Sequence, residues 1–185
     1  FMSKFKVYDN YLPESDFKSV SGFLMGSAID WHYNYSILQP GQVEDYDYNY
    51  QMIHNFYDGK RLISRYLFYL DPIAYALGFK EPVKNDYPLF VGNAYRVKAN
   101  LNHRMDKIMR HGFHVDPAED ANINEIKTAI FYVNSNDGYT EFEDGSIVES
   151  VANRIVIFDS HLKHAGTSCT NEKRRVVINI NYYET

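Results

Sequence analysis

The chain has almost no cysteine: Cys169 is the only one in 185 residues. No internal disulfide framework can form, so the fold must be held by its core. Positive charge is also scarce. Lys and Arg number 19 against 24 Asp and Glu, for a net charge of -5. That balance argues against a nucleic-acid partner, because phosphates are met mainly by Lys and Arg. Long hydrophobic runs are missing as well. No apolar stretch approaches the roughly 20 residues needed to span a bilayer, so no membrane partner is expected. No apolar core follows Phe1-Met2-Ser3-Lys4, so no secretory leader is expected and the expected location is cytoplasmic. There are no internal repeats and no linker-like segment. The length suits one domain spanning residues 1–185.

Aromatic residues are plentiful. They make up 16% of the chain, with 17 Tyr and 12 Phe, and they favour strands because they suit a pleated, half-buried surface. The first half mixes elements. Lys4–Tyr11 alternates as a short strand. A helix is expected from Pro13 to about Met25, with Pro at its start, acidic residues in its first turn and Gly26 as its stop. Trp31–Leu38 reads as a strand. Tyr46, Tyr48 and Tyr50 would share one face of a strand. Two readings stand for them, an aromatic wall over a substrate and an acidic surface loop leading into an edge strand. Leu62, Tyr66, Leu67, Leu70, Ile73, Ala74 and Leu77 recur at helical spacing, with Pro72 expected to kink or split the helix.

After Pro82 the pattern changes. Leu89–Leu101, Thr128–Asn134, Tyr139–Phe142, Arg154–Phe158 and Arg175–Tyr183 read as strands separated by turn signals. Many short strands without intervening helices imply an antiparallel sandwich or barrel. The fold class expected is therefore α+β, mainly β, with residues 1–88 as a helix-and-strand support and 89–183 as the core.

Within that core, His114 and Asp116 sit two apart. On a strand end both side chains point the same way and can grip one ion. A third ligand, another His, would complete a facial triad that suits Fe(II) and leaves positions open. His164 follows the apolar strand Ile155–Phe158, just before Gly166, and His161 competes with it. Arg174 and Arg175 then open another apolar strand. An inward-facing Arg there is unfavourable unless it meets an anion.

These residues resemble the 2-oxoglutarate and Fe(II)-dependent dioxygenases, and most closely the prolyl 4-hydroxylase type. That family shows His-x-Asp, a distal His, and an Arg or Lys ten or eleven positions later. The matching residues are His114, Asp116, His164, and Arg174 or Arg175. Thr128–Asn134 is similar to the family strand whose tyrosine meets the far carboxylate of 2-oxoglutarate, here Tyr132. Gly138–Phe142 is similar to its glycine-rich strand. The resemblance covers residues 89–183 and implies a double-stranded β-helix, or jelly roll. It implies Fe(II), 2-oxoglutarate and O2 as cofactors, with ascorbate as the reductant to try. It implies His114, Asp116 and His164 on the metal, and Arg175 and Tyr132 on 2-oxoglutarate. For Thr128, a hydrogen bond to the co-substrate and a structural role both stand.

Arg175 is chosen over Arg174 because Arg175, Val177, Asn179 and Asn181 share the polar face of their strand. Many relatives carry tryptophan where this chain has Asn181, which bears on the shape of the substrate pocket. The reaction implied is hydroxylation of a C–H bond in a peptidyl, prolyl or small-molecule substrate, with release of succinate and carbon dioxide. The rival from another class is a non-catalytic jelly-roll module that binds a metal or ligand. Lys98, Asn100, His103 and His111 are read either as ordinary strand and loop residues or as pocket and flap residues. Both histidine ligands must be neutral to bind, so metal affinity is expected to fall below about pH 6.

Overall fold

Alternation along one strand sets up the whole architecture. In the computed structural model, which describes residues 4–37, 50–80, 87–116 and 122–184, β10 spans Arg174–Tyr183. Its Val176, Ile178, Ile180 and Tyr182 enter an apolar layer shared with the helices. Its Arg175, Val177 and Asn179 point the other way, into a cavity. One strand thus carries a dry face and a polar face, as the period of two requires.

β10 is central in a seven-stranded antiparallel sheet ordered β1-β8-β5-β10-β4-β3-β2. The partners are β1 (Phe5–Tyr8), β8 (Arg154–Asp159), β5 (Ile126–Tyr132), β4 (Ala94–His103), β3 (Gln51–Tyr57) and β2 (His32–Asn34). A smaller sheet, β7-β6-β9, is built from Ile147–Glu149, Tyr139–Phe142 and His164–Gly166. Between the two sheets lie Ile130, Tyr132, Phe142, Val148, Val156, Phe158 and Val177. This is the jelly roll, and both sheets contribute to its core.

The outer face of the large sheet is covered by α1 (Glu14–Met25) and by a 3-10 turn, Arg65–Leu70, that runs into α2 (Asp71–Ala76). α1 has Pro13 at its N-cap and Glu14 and Asp16 in its first turn, and it buries Val20, Phe23 and Leu24. The helix expected over 61–77 is in fact these two pieces. The break falls at Asp71-Pro72, because Pro sits comfortably only in the first turn of a helix. Leu62 belongs to neither piece and forms a β-bridge with Tyr57.

Other boundaries moved for local reasons. β4 starts at Ala94, not Leu89. Asn93 ties the preceding turn by donating to Lys80 O at 2.9 Å and Leu89 O at 2.8 Å, and Gly92 has φ 86°. β3 spans Gln51–Tyr57 and so begins where the tyrosine alternation read from the sequence ends. His164, read from the sequence as following the strand Ile155–Phe158, opens a strand of its own, β9, where its backbone is paired. Tyr46 and Tyr48 lie outside the described residues; Tyr50 meets Tyr33 in a tilted ring contact, with centroids 5.9 Å apart. Among the described residues no helix is long and apolar enough to cross a membrane.

Ile178 is fully buried at the centre of the helix-side layer. Ile178→Ala should lower unfolding free energy by about 2–5 kcal/mol in urea titrations, the cost of an unfilled core cavity. A loss below about 1 kcal/mol would show that this layer is not a close-packed core.

Candidate metal centre

Two histidines are brought together by their own backbones. His114 N donates to His164 O at 3.0 Å, and His164 N donates to His114 O at 2.9 Å. The strands exchange both bonds at this pair, so the two side chains stand side by side, with ring centroids 4.8 Å apart. Each ring is oriented in the same manner. Nδ1 of His114 lies 3.1 Å from Gly112 O, and Nδ1 of His164 lies 3.0 Å from Leu162 O. A carbonyl only accepts, so Nδ1 carries the proton and Nε2 is left with a lone pair for a metal.

The third donor is Asp116, 3% exposed. Ligand atoms of His114, Asp116 and His164 all lie within 4.8 Å of one another. Two nitrogens and one oxygen in this arrangement fit a hard or borderline divalent cation such as Fe(II). The donor set and the fixed tautomers therefore suit a resident metal.

Asp116 is held on both oxygens. Arg96 Nη2 donates to Oδ1 at 2.8 Å. Asn181 Nδ2 and Thr128 Oγ1 donate to Oδ2 at 2.8 and 3.0 Å. Arg96 Nε also donates to Asn181 Oδ1 at 3.0 Å, and Asn181 Nδ2 approaches Thr128 Oγ1 at 2.9 Å. Burial alone would raise the Asp116 carboxyl. The charges of Arg96 and the two histidines, with the Asn181 bond, reverse that and hold it well below the usual carboxylate range. Asp116 is thus ionised and ready to ligate. Burial pushes His114 down to about 4, with the His164 charge adding to the effect. Proton competition at His114 therefore sets in at lower pH than an ordinary imidazole would give.

The triad lines a cavity of about 170 Å³. The same cavity is lined by Arg175, 2% exposed. Its Nε donates to Ser150 Oγ at 2.8 Å and its Nη2 to Thr140 Oγ1 at 3.3 Å, and its guanidinium lies over the Tyr132 ring at 5.7 Å. No carboxylate pairs with it among the described residues. Gly138 makes room for it, since a Cβ there would lie 2.6 Å from Arg175 Cδ. Arg174 points away, donating to Met25 O at the end of α1.

Several expected residues have other jobs. The Tyr132 hydroxyl donates to Thr140 Oγ1 at 2.8 Å and is absent from the cavity wall. Thr140 does line the wall. It accepts from both Tyr132 and Arg175, so its own hydroxyl proton remains to donate to a ligand. Thr128, one candidate donor to the co-substrate, has its hydroxyl committed to Asp116 and linked to Ser160 at 2.7 Å. Asn181 holds the Asp116 carboxylate, where tryptophan had been compared with it only for the substrate pocket. His161 is exposed, while His111 is buried on the cavity wall. Lys98 and Asn100 line the cavity, and Tyr95, on the other face of β4, does not. Burial pulls Lys98 down to about 8; the Arg96 charge adds to this and Asp116 opposes it. Cys169 is buried and donates to Glu172 O at 3.4 Å.

Ser150 and Arg96 were not singled out from the sequence, and Thr140 only as part of the Gly138–Phe142 strand, without a role. Arg96 carried a signal, because it shares the inward alternation of Lys98 and Asn100. Ser150 carried none, and the role of Thr140 depends on which strands the small sheet places beside β10.

No family model and no curated protein sequence matches the chain. Solved structures do. A prolyl-4-hydroxylase from Pseudomonas putida is 14% identical, with 99% of this chain and 94% of that one covered and a TM-score of 0.58. A viral collagen prolyl hydroxylase from Paramecium bursaria Chlorella virus-1, in its 2OG complex, is 13% identical, with 100% and 98% covered and a TM-score of 0.53. An oxidoreductase of the 2OG-Fe(II) oxygenase family from Burkholderia pseudomallei is 10% identical, with 98% and 86% covered and a TM-score of 0.63. At these identities the likeness is one of fold, and it extends over nearly the whole chain.

The Asp116 bonds predict a graded loss. Thr128→Val should weaken Mn(II) binding by about 10- to 100-fold in EPR titrations, because an outer partner of a ligand is removed while its volume is kept. Arg174→Ala should leave Mn(II) binding unchanged and lower stability by about 1 kcal/mol through the lost bond to α1. Equal metal affinity in both variants would mean that Thr128 does not support the site.

Proposed function

We propose that the chain is a 2-oxoglutarate-dependent Fe(II) oxygenase that hydroxylates a substrate C–H bond. The carrying observation is Arg175: a buried guanidinium without an acidic partner among the described residues, facing the same cavity as the His114, Asp116 and His164 donors. A buried charge of this kind calls for an anion. 2-Oxoglutarate has the right shape, with a 2-oxo acid to chelate a metal at one end and a carboxylate at the other. The jelly-roll neighbours, one of them in a 2OG complex, support the same reading.

His114, Asp116 and His164 would hold the Fe(II) through two Nε2 atoms and one carboxylate oxygen. Arg175 would form a charge-assisted bond to the far carboxylate, and the Thr140 hydroxyl would donate a second. Tyr132 acts at one remove, fixing Thr140 by donating to its oxygen. Ile130 and Val177 line the cavity and would pack on the methylene carbons between the two ends. Ser150 and the Tyr132 ring hold Arg175 in place before any ligand arrives, so little reorganisation remains to be made on binding. When bound, Fe(II) and 2-oxoglutarate supply the oxidation: of the two atoms of O2, one enters the substrate C–H bond as hydroxyl and one enters the succinate left after carbon dioxide is lost. The protein contributes ligand geometry, a shielded cavity and orientation of the substrate.

In the absence of oxygen, Fe(II) and 2-oxoglutarate together should give the weak visible charge-transfer band of a 2-oxo-acid chelate. Arg175→Ala should raise the KM for 2-oxoglutarate by about 10- to 100-fold, the worth of a charged hydrogen-bonded pair, while Mn(II) affinity is kept. Unchanged succinate release from Arg175→Ala would defeat the assignment of the co-substrate.

A further inference from the structure

We propose, resting on 2-oxoglutarate binding at Arg175, that the substrate is a free α-amino acid, its carboxylate held by Lys98 and its amino group by Asn100 and Asn179. Lys98, Asn100 and Asn179 all line the cavity. They form one cluster, because Asn179 of β10 lies opposite Lys98 of β4 and Val177 lies opposite Asn100.

Two observations define the ligand. First, Lys98 has no acidic partner among the described residues. Arg96, its neighbour on the same strand face, is already paired with Asp116. Second, Asn100 and Asn179 are each 8% exposed, and neither Oδ1 has a hydrogen-bond partner. Buried amide oxygens on a cavity wall call for a ligand that brings N–H or O–H donors.

A ligand with one carboxylate and one ammonium, close together, meets both conditions. A prolyl residue within a peptide brings no carboxylate to Lys98, because both its backbone groups are amides.

The test uses the full chain with Fe(II), 2-oxoglutarate and air, supplied in turn with the free L-amino acids, their carboxamides and short peptides containing the same residues. Succinate and hydroxylated product are read. At least one free amino acid should stimulate turnover, and its carboxamide should fall by about 10- to 100-fold in kcat/KM, as expected on losing a charged partner. Lys98→Met should raise the amino-acid KM by a similar factor and move the Kd for 2-oxoglutarate, read from the charge-transfer band, much less. Asn100→Ala should raise the same KM without removing a charge. Peptides or carboxamides turned over as well as the free acid would overturn the assignment. So would failure of every free amino acid, or a Lys98→Met effect confined to 2-oxoglutarate. In those cases a normal wild-type band would leave the co-substrate reading standing; loss of that band in the wild type would remove both.

Discussion

A carboxylate buried in a protein interior must be met by charge and hydrogen bonds, or it takes up a proton. Asp116 is met from three strands at once: Arg96 on β4, Thr128 on β5 and Asn181 on β10. Those strands are neighbours in the large sheet. The site is therefore supported by the middle of the sheet, and the segment carrying His114 and Asp116 is tied down at two points. One is this carboxylate. The other is the backbone pair between His114 and His164, which joins the segment to the small sheet. Metal donors held on both sheets lose little freedom when an ion arrives.

The same sheet separates dry packing from polar chemistry. On its outer face, Val176, Ile178 and Ile180 pack with Val97, Ala99 and Leu101 beneath the helices. On its inner face the residues between them, Arg96, Lys98, Asn100, Arg175 and Asn179, line the cavity. So many inward polar groups oppose folding unless each is satisfied by a neighbour or by a ligand. Asp116, Arg96, Thr128 and Asn181 satisfy one another. Arg175, Lys98, Asn100 and Asn179 do so only in part. Such an imbalance is expected where a protein has given up local stability to bind something.

Much of this was legible from residue patterns. Period-two alternation located β5, β6, β8 and most of β10, and it assigned Arg175 and Arg174 to opposite faces. The structure places Arg175 in the cavity wall and Arg174 against α1. The His-x-Asp pair and the distal His were visible as residue types at a spacing. Harder to read were the short strands β7 and β9, which carry no pattern longer than three residues and exist because the small sheet pairs them. The helix over 61–77 was legible in its apolar positions and in its division at Pro72, though not in the 3-10 form of its first piece.

The sequence by itself determined which face of each long strand is polar and which residue types could ligate a metal or meet an anion, because side-chain direction along a strand is a local property. Only the tertiary structure decided partnership. It turned Thr128 toward Asp116 and set Tyr132 one residue back behind Thr140. It gave Asn181 to the carboxylate. Among the described residues it left Lys98 without an acidic partner and the Oδ1 atoms of Asn100 and Asn179 without a donor. These outcomes depend on register between strands distant in the chain. A shift of one residue would send every one of these side chains to the other face.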